Sequence, residues 1–326
     1  MQVTRTVLVG ARARERLLLP DFAASVIAAV SRAVYLQDQG GEILWISPPD
    51  SVPHRRCILA SRAQSSCRVG TACGVRGGLL SIGDDLAIEW DRAVPWTGEG
   101  CGRACLAPEE AARALRAGLA LLSQRRRPAG LARIVLGGPR GNDRRLPPSP
   151  ISMRERWLDA AGHLVERVVD SERARDSDEL FVAARRLVGL GEGLTPSGDD
   201  FLGGFLFTRR HLERSDPATA WVDWDAWGRF LAEAAPLTNA ISLALLSDLA
   251  EGHGPEPLHD LVCEALGRGS EALIAQHAAR LVEIGGSSGW DLLAGVAAAM
   301  GVSAFGEPPL EPAPADREGR ACSVGT

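Results

Sequence analysis

The sequence predicts an α+β protein. A small, antiparallel, β-rich domain spans residues 1–100, a larger, mainly α-helical domain spans 105–305, and a disordered tail spans 306–326. Three observations carry that reading. Before residue 100 the apolar residues fall in short alternating runs cut by Gly, Pro and Asp. After Pro108 they recur at helical spacing. From Glu307 onward the chain turns to Pro, Ala, Glu and Gly, a composition that cannot bury enough apolar surface to order itself.

Taken in order, residues 33–37, 42–47, 56–60, 77–82 and 86–90 read as strands of a small antiparallel sheet or barrel, punctuated by Gly40-Gly41, Pro48-Pro49-Asp50 and Gly83-Asp84-Asp85. The last of these looks acidic enough for a site, but between two strands it reads as a hairpin turn. Residues 95–108, rich in Gly and Cys, read as a linker. Pro108 with Glu109 and Glu110 opens a helix reaching about residue 127, because Pro suits the first helical position and acidic groups suit the positive end of the helix dipole. A loop over 128–150 holds a short apolar piece at 134–136. Further helical patterns cover 151–172, 176–188, 198–213, 219–235, 239–251, 256–267, 270–283 and 289–301. Trp221, Trp224 and Trp227, three apart, form a stripe that favours packing over a stacking platform.

Composition narrows the function classes. The chain has 326 residues, 45% of them hydrophobic, and a net charge of −5, so no global pull toward nucleic acid or an anionic membrane follows. The clusters Arg125-Arg126-Arg127 and Arg144-Arg145 read as a solvated helix end and a loop. No stretch approaches the roughly 20 apolar residues of a membrane span. Arg5, Arg12, Arg14 and Arg16 precede Leu17-Leu18-Leu19, but Pro20 and Asp21 break the run, so no signal peptide is read and a cytoplasmic location is expected. All 36 cationic side chains are arginine. Schiff-base chemistry, lysine-linked pyridoxal phosphate, lysine-carried biotin or lipoate and a phosphate-loop lysine are therefore excluded. Seven cysteines, an odd number, lie scattered with no two-residue-spaced pair, and are expected to be reduced and structural.

The chemistry concentrates in one stretch, Gly189-Leu-Gly-Glu-Gly-Leu-Thr-Pro-Ser-Gly-Asp-Asp-Phe-Leu-Gly-Gly204. Its glycines let the backbone take positive φ and let a ligand come close. Ser197 is expected to cap the helix that follows. Free N–H groups at such a helix start attract anions, whereas Asp199 and Asp200 in the first turn compete with them. A second segment echoes it. Ser288-Gly289-Trp290-Asp291-Leu292-Leu293-Ala294-Gly295 shares the pattern Ser-Gly-x-Asp-x-Leu-x-Gly with Ser197–Gly204 at an offset of 91 residues, again after a glycine loop, Gly285-Gly286-Ser287. The two corners are expected to face one another and form one site. Thr238 is expected to cap a third helix, on which Asn239 and Ser242 share a face and can both donate to one ligand. His253 and His259 rank low as catalytic groups. The carboxylates can hold Mg²⁺ through oxygen ligands, although no residue demands a cofactor.

Residues 189–204, 238–242 and 284–295 resemble the motifs of a bacterial family long listed as a domain of unknown function and now associated with a subunit of oxamate carbamoyltransferase in anaerobic allantoin degradation. The resemblance implies phosphorolysis of oxalurate to oxamate and carbamoyl phosphate, with a carbamate kinase using the product. It also implies companion subunits, one of them acyl-CoA synthetase-like. It places Asp199, Asp200 and Asp291 as catalytic candidates. Gly191, Gly193, Thr195, Ser197, Gly198, Asn239, Ser242, Ser287, Ser288 and Gly289 are candidates for binding a small anionic substrate. Two other readings stay open: a non-catalytic binding or assembly subunit, and a metal-dependent hydrolase using the paired aspartates.

Overall fold

A computed structural model describes residues 2–61, 67–98, 101, 106–137 and 153–304. The N-terminal region is all β but for one short helix: β1 (Gln2–Gly10), α1 (Ala11–Leu17), β2 (Ala23–Val30), β3 (Ala33–Asp38), β4 (Ile43–Ser47), β5 (Cys57–Ala60), β6 (Ala72–Arg76), β7 (Leu79–Ile82), β8 (Leu86–Glu89) and β9 (Val94–Trp96). The strand order is β5-β4-β3-β2-β6-β7-β8-β1-β9, and a further β1–β5 pairing closes the sheet into a barrel.

The sheet or barrel expected from the sequence is a barrel, but its pairing is not wholly antiparallel, which corrects that part of the expectation. β1 runs parallel to β8 through Gln2–Arg5 and to β9 through Leu8–Gly10, and β4 runs parallel to β5. The physical reason is the first strand. Its other edge pairs antiparallel with β5 and shifts register between Thr6 and Leu8, so it bridges two strands far away in sequence and leaves no open edge there. Alternate residues of the strands, among them Val26, Val34, Leu36, Leu44, Ile46, Ile58, Leu80 and Ile88, fill the interior, and Ala13 and Leu17 of α1 pack into the same core. The Gly83-Asp84-Asp85 turn joins β7 and β8, which pair antiparallel as a hairpin.

A helical region follows: α2 (Pro108–Ser123), α3 (Ala132–Val135), α4 (Met153–Ala174), α5 (Ser177–Leu187), α6 (Ser197–Ser215), α7 (Trp224–Glu233), α8 (Ala240–Ala250), α9 (Glu256–Gly267), α10 (Glu271–Leu281) and α11 (Ser288–Ala299). The apolar piece at 134–136 belongs to the short helix α3. At the centre lie α11 and the first three turns of α6, buried on all sides, whereas the last turn of α6 reaches the surface with Arg214. Trp227 is fully buried, and Trp221 and Trp224 pack partly buried against the same core. The arginine pair at 144–145, Cys105, Cys322 and the tail over 306–326 lie outside the described residues.

One ion-pair cluster joins the two regions. Arg56, beside β5, grips Asp248 of α8 with two parallel hydrogen bonds of 2.5 and 2.7 Å and reaches Glu42 at 2.6 Å. All the contacts of this fork are charge-assisted, and Arg56 and Asp248 are both buried, so removing either partner strands the other. A second tie is covalent. Cys101 and Cys263 form a disulfide, which overturns the expectation of reduced thiols for this pair. Their separation of 162 residues gave the sequence no spacing signal. Among the described residues no helix is long and apolar enough to cross a membrane.

Candidate functional site

The site is built from two copies of one local device: a helix end, a glycine loop and a new helix start. α5 closes at Leu187 and α10 at Leu281. Beyond them Leu190 N–H donates to Leu187 O at 2.9 Å, and Ile284 N–H to Leu281 O at 3.0 Å. Then Gly198 N–H donates to Leu190 O at 2.8 Å, and Gly289 N–H to Ile284 O at 3.0 Å. A side chain at either glycine is impossible here. A Cβ on Gly198 would lie 2.0 Å from Leu187 O, and one on Gly289 would lie 1.9 Å from Leu281 O. The repeat extends down the helices. A Cβ on Gly204 would sit 2.1 Å from Leu292 O, and one on Gly295 would sit 2.1 Å from Phe201 O, a reciprocal contact with the same 91-residue offset. The two helices therefore cross backbone to backbone, and their starts come together: the hydroxyls of Thr195 and Ser288 are 2.8 Å apart. The expectation that the corners face one another holds.

The three aspartates serve three different ends. Asp199 is buried and fully engaged. Its Oδ1 accepts from Gly189 N–H at 2.7 Å, and its Oδ2 accepts the hydroxyls of Ser242 at 2.6 Å and Thr238 at 2.5 Å. It ties the first glycine loop to the start of α8. Asp291 is wholly buried and accepts from Leu131 N–H at 2.6 Å, anchoring the turn before α3. A Cβ on Gly130, in the left-handed region at φ 52°, would lie 2.2 Å from the Asp291 carboxylate, so that turn also needs glycine. Burial pushes the Asp291 carboxyl up to about 6, against the opposing hydrogen bond from Leu131 and the hydroxyls of Ser197 and Ser287.

Asp200 differs in having a cavity to face. Its Oδ2, like that of Asp291, is buried with no hydrogen-bond partner among the described residues. Burial, and then the nearby Asp291 charge, hold its carboxyl well above the ordinary range, although the hydroxyls of Ser288 and Thr195 oppose that shift. Such a group stays neutral where an ordinary aspartate is charged, so it can lie beside an anion without repelling it. This resolves the conflict between acidic residues and anion binding at one helix start.

Asp200, Thr195 and Ser288 line a cleft of about 1320 Å³ between the helical region and the outer face of the barrel. Glu192, Gly193 and Leu194 of the first loop and Gly285, Gly286 and Ser287 of the second border it too. The amides of 191–195 and 285–288 donate no hydrogen bond to the described residues, whereas the amides of Gly198 and Gly289 are already bonded. The free amide donors thus sit in the loops before the helices, not at Gly198 and Gly289. Positive φ at Gly191, Gly193 and Gly285 turns the backbone there.

Other expectations change. The helix start at Ser197 is preceded by Pro196 as the capping position, and Ser197 is the first helical residue. The cap of α8 is Asn239, not Thr238: its side-chain oxygen accepts from Ile241 N–H and Ser242 N–H, both at 3.1 Å, and its amide donates to Leu194 O at 3.0 Å. Asn239 and Ser242 therefore engage separate partners within the chain, Asn239 the backbone and Ser242 Asp199. His259 accepts from Gly254 N–H, and burial lowers it to about 3, so it stays neutral. Neither His253 nor His259 borders the cleft. Among the described residues no group of three or more His, Cys, Asp or Glu side chains is gathered to hold a metal.

The opposite wall went unread in the sequence. It comes from the barrel: Arg32, Tyr35, Trp45, Ser47, Asp50 and His54. Tyr35 and Trp45 lie with ring centroids 5.9 Å apart, and Trp45 and His54 4.8 Å apart, forming an aromatic shelf. The one available signal was composition, since Tyr35 is the chain's only tyrosine.

Residues 187–300 match the family model of oxamate carbamoyltransferase subunit AllH. The matched span runs from the end of α5 past α11, so it contains both glycine corners and α8, and it supports the family that the motifs resemble. That family is named for a subunit, which implies a multi-subunit complex. The barrel lies outside the match. No curated protein and no solved structure matches the chain.

Proposed function

We propose that the chain is a substrate-binding subunit of an oxamate carbamoyltransferase-like enzyme that converts oxalurate and phosphate to oxamate and carbamoyl phosphate. The observation that carries this reading is the convergence of two glycine loops, with unbonded amides, on one buried and neutral-leaning carboxyl, Asp200. Carbamoyl transfer brings together a phosphate, a carboxylate and a developing oxyanion, and preorganised N–H and O–H donors stabilise that charge without reorganising. Loop amides and the hydroxyls of Thr195 and Ser288 bind the anions. In the reaction a phosphate oxygen bonds to the ureido carbon and the C–N bond breaks. The departing nitrogen takes a proton and becomes the amide of oxamate, while the phosphate gives up the proton it carried. Asp200, held neutral, is placed to pass that proton across. Asp199 and Asp291 act as positioning residues, each holding a loop.

Companion subunits, including an acyl-CoA synthetase-like protein, complete the enzyme in this reading. The test is calorimetric titration of the chain with phosphate, carbamoyl phosphate, oxamate and oxalurate, followed by phosphorolysis assays of the reconstituted complex. Saturable binding of oxamate or carbamoyl phosphate that is lost in Asp200→Asn supports the reading. Undiminished binding and turnover in that variant would overturn the role of Asp200.

A further inference from the structure

Tyr35 stands on β3, on the barrel side of the cleft whose opposite side carries Asp200. Its phenol is half-buried and makes no hydrogen bond within the described residues. Tyr35 and Asp200 line the same cleft, and burial, then the charge of Asp200, hold the phenol above its ordinary ionisation range. A tyrosine hydroxyl in such a place normally finds a partner. So does a buried carboxyl oxygen, and Asp200 Oδ2 has none either. The two side chains, one from each region, thus border one cleft. Behind Tyr35 the rings of Trp45 and His54 back the shelf and hold it against the barrel.

The chemistry of that cleft is specific. A carboxyl kept neutral donates to a carbonyl oxygen and accepts from an N–H, and a phenol does the same. A planar amide or ureide offers both a carbonyl and an N–H on one edge, and its flat face suits an aromatic shelf. A bare phosphate offers only oxygens and is satisfied by the loop amides and hydroxyls on the helical side.

We infer that the barrel is half of the ligand site, and that Tyr35 hydrogen-bonds the amide or ureide group of a carboxylate ligand anchored at the glycine corners, opposite Asp200. This makes Tyr35 a specificity residue, distinguishing amide-bearing anions from phosphate. The inference rests on the proposed function for the identity of the ligand, but not for the geometry.

The experiment has two arms on the full chain. In the first, the absorbance of the single tyrosine is titrated with pH in the wild type and in Asp200→Asn. The midpoint is expected to fall in the variant, because a neighbouring negative charge is removed, and an unchanged midpoint would show that the two groups do not face each other. In the second, oxamate, oxalurate and phosphate affinities are compared in the wild type and in Tyr35→Phe, with unfolding midpoints recorded for both. Loss of one good hydrogen bond is expected to weaken oxamate and oxalurate about tenfold while phosphate affinity stays the same. Equal affinities for all three ligands in Tyr35→Phe, with weakening in Asp200→Asn, would overturn the role of Tyr35 and leave the proposed function standing. No binding of any of these ligands to the wild type would overturn both. A shifted tyrosine midpoint in that case would still locate Tyr35 beside Asp200. If Tyr35→Phe unfolds more easily, Tyr35→Met serves as the second variant, keeping apolar bulk and removing the hydroxyl. A phosphate-selective retention of binding there supports the inference, and a uniform loss overturns it.

Discussion

The two glycine corners share sequence pattern, backbone path and contacts, yet their aspartates do opposite things. Each keeps one unpartnered oxygen, but Asp200 borders the cleft, whereas its counterpart Asp291 is sealed behind α3 and accepts from Leu131 N–H. The difference lies in what packs opposite. The first corner has six residues, 191–196, between Leu190 and Ser197, and the second has three, 285–287, between Ile284 and Ser288. The position before the aspartate differs as well: Asp199 in one corner ties down a loop, and Trp290 in the other is buried in the core. A repeated local motif therefore specifies a repeated backbone, while tertiary surroundings decide which aspartate borders the cleft.

The backbone half of that comparison is the easiest to break. Gly204→Ala and Gly295→Ala each force a methyl group to about 2.1 Å from a carbonyl oxygen on the other helix. Because both sides are backbone, neither can give way, and each variant is expected to lose at least about 4 kcal/mol in denaturant unfolding. Gly286→Ala, with nothing within 4 Å of its Cβ, is expected to change stability by under about 0.5 kcal/mol. If Gly204→Ala and Gly286→Ala unfold at the same denaturant concentration, the reciprocal crossing is wrong.

Next is the aspartate that has no counterpart. Asp199→Ala leaves Gly189 N–H and the hydroxyls of Thr238 and Ser242 without their shared acceptor. A cost of about 3–4 kcal/mol is expected, since buried donors lose a charged partner. Hydrogen exchange should show the 189–196 loop opening first. Protection unchanged in that loop would mean that Asp199 does not hold it.

Most helices could be read from periodicity, and so could the two corners, because their signals are local: glycine, a turn, a polar helix start and an apolar face. The strand partners that close the barrel could not. β1 has an alternating pattern that fits a strand, but its partners β5 and β8 lie dozens of residues away, and nothing in Gln2–Gly10 names them. β2, with its run of alanines, carries no strand signature of its own and is held by its neighbours β3 and β6. The site shows the same split. Asp200, Thr195 and Ser288 were visible as one motif, whereas Tyr35 and Trp45 join them only through the packing of the two regions. The cap of α8 went one residue astray because Thr238 and Asn239 are both good caps, and the bond from Thr238 to Asp199 decides between them.

The two repeat aspartates can be separated by pH. Asp291 has a folded-state value of about 6, raised above its ordinary value of 3.8. The folded state then binds more protons than the unfolded chain between those values, so stability falls as pH rises from about 4 to about 6 and levels off above. Asp291→Asn removes that loss and keeps an oxygen for Leu131 N–H. It is expected to gain about 1–3 kcal/mol over the wild type at pH 8 relative to pH 4, with ligand affinity intact. Urea midpoints of the two proteins at both pH values test this, and a difference that stays constant with pH would remove the buried-acid account of Asp291.

The smallest effect probes the seam itself. Thr195 and Ser288 touch through hydroxyls 2.8 Å apart, a direct side-chain bond between the two corners. Thr195→Val removes one hydroxyl at nearly constant shape, and Ser288→Ala removes the other. If the bond couples the corners, the double variant costs less than the sum of the single ones, by about 0.5–1 kcal/mol in a double-mutant cycle. The hydroxyls also oppose the upward shift of Asp200, so their removal should raise that carboxyl further and move the pH dependence of anion binding upward. Additive stabilities together with an unmoved binding profile would mean that the corners only lie side by side. A coupling that appears in stability but not in binding would assign the seam to folding alone, and coupling in both would make the contact between the repeats part of the ligand site.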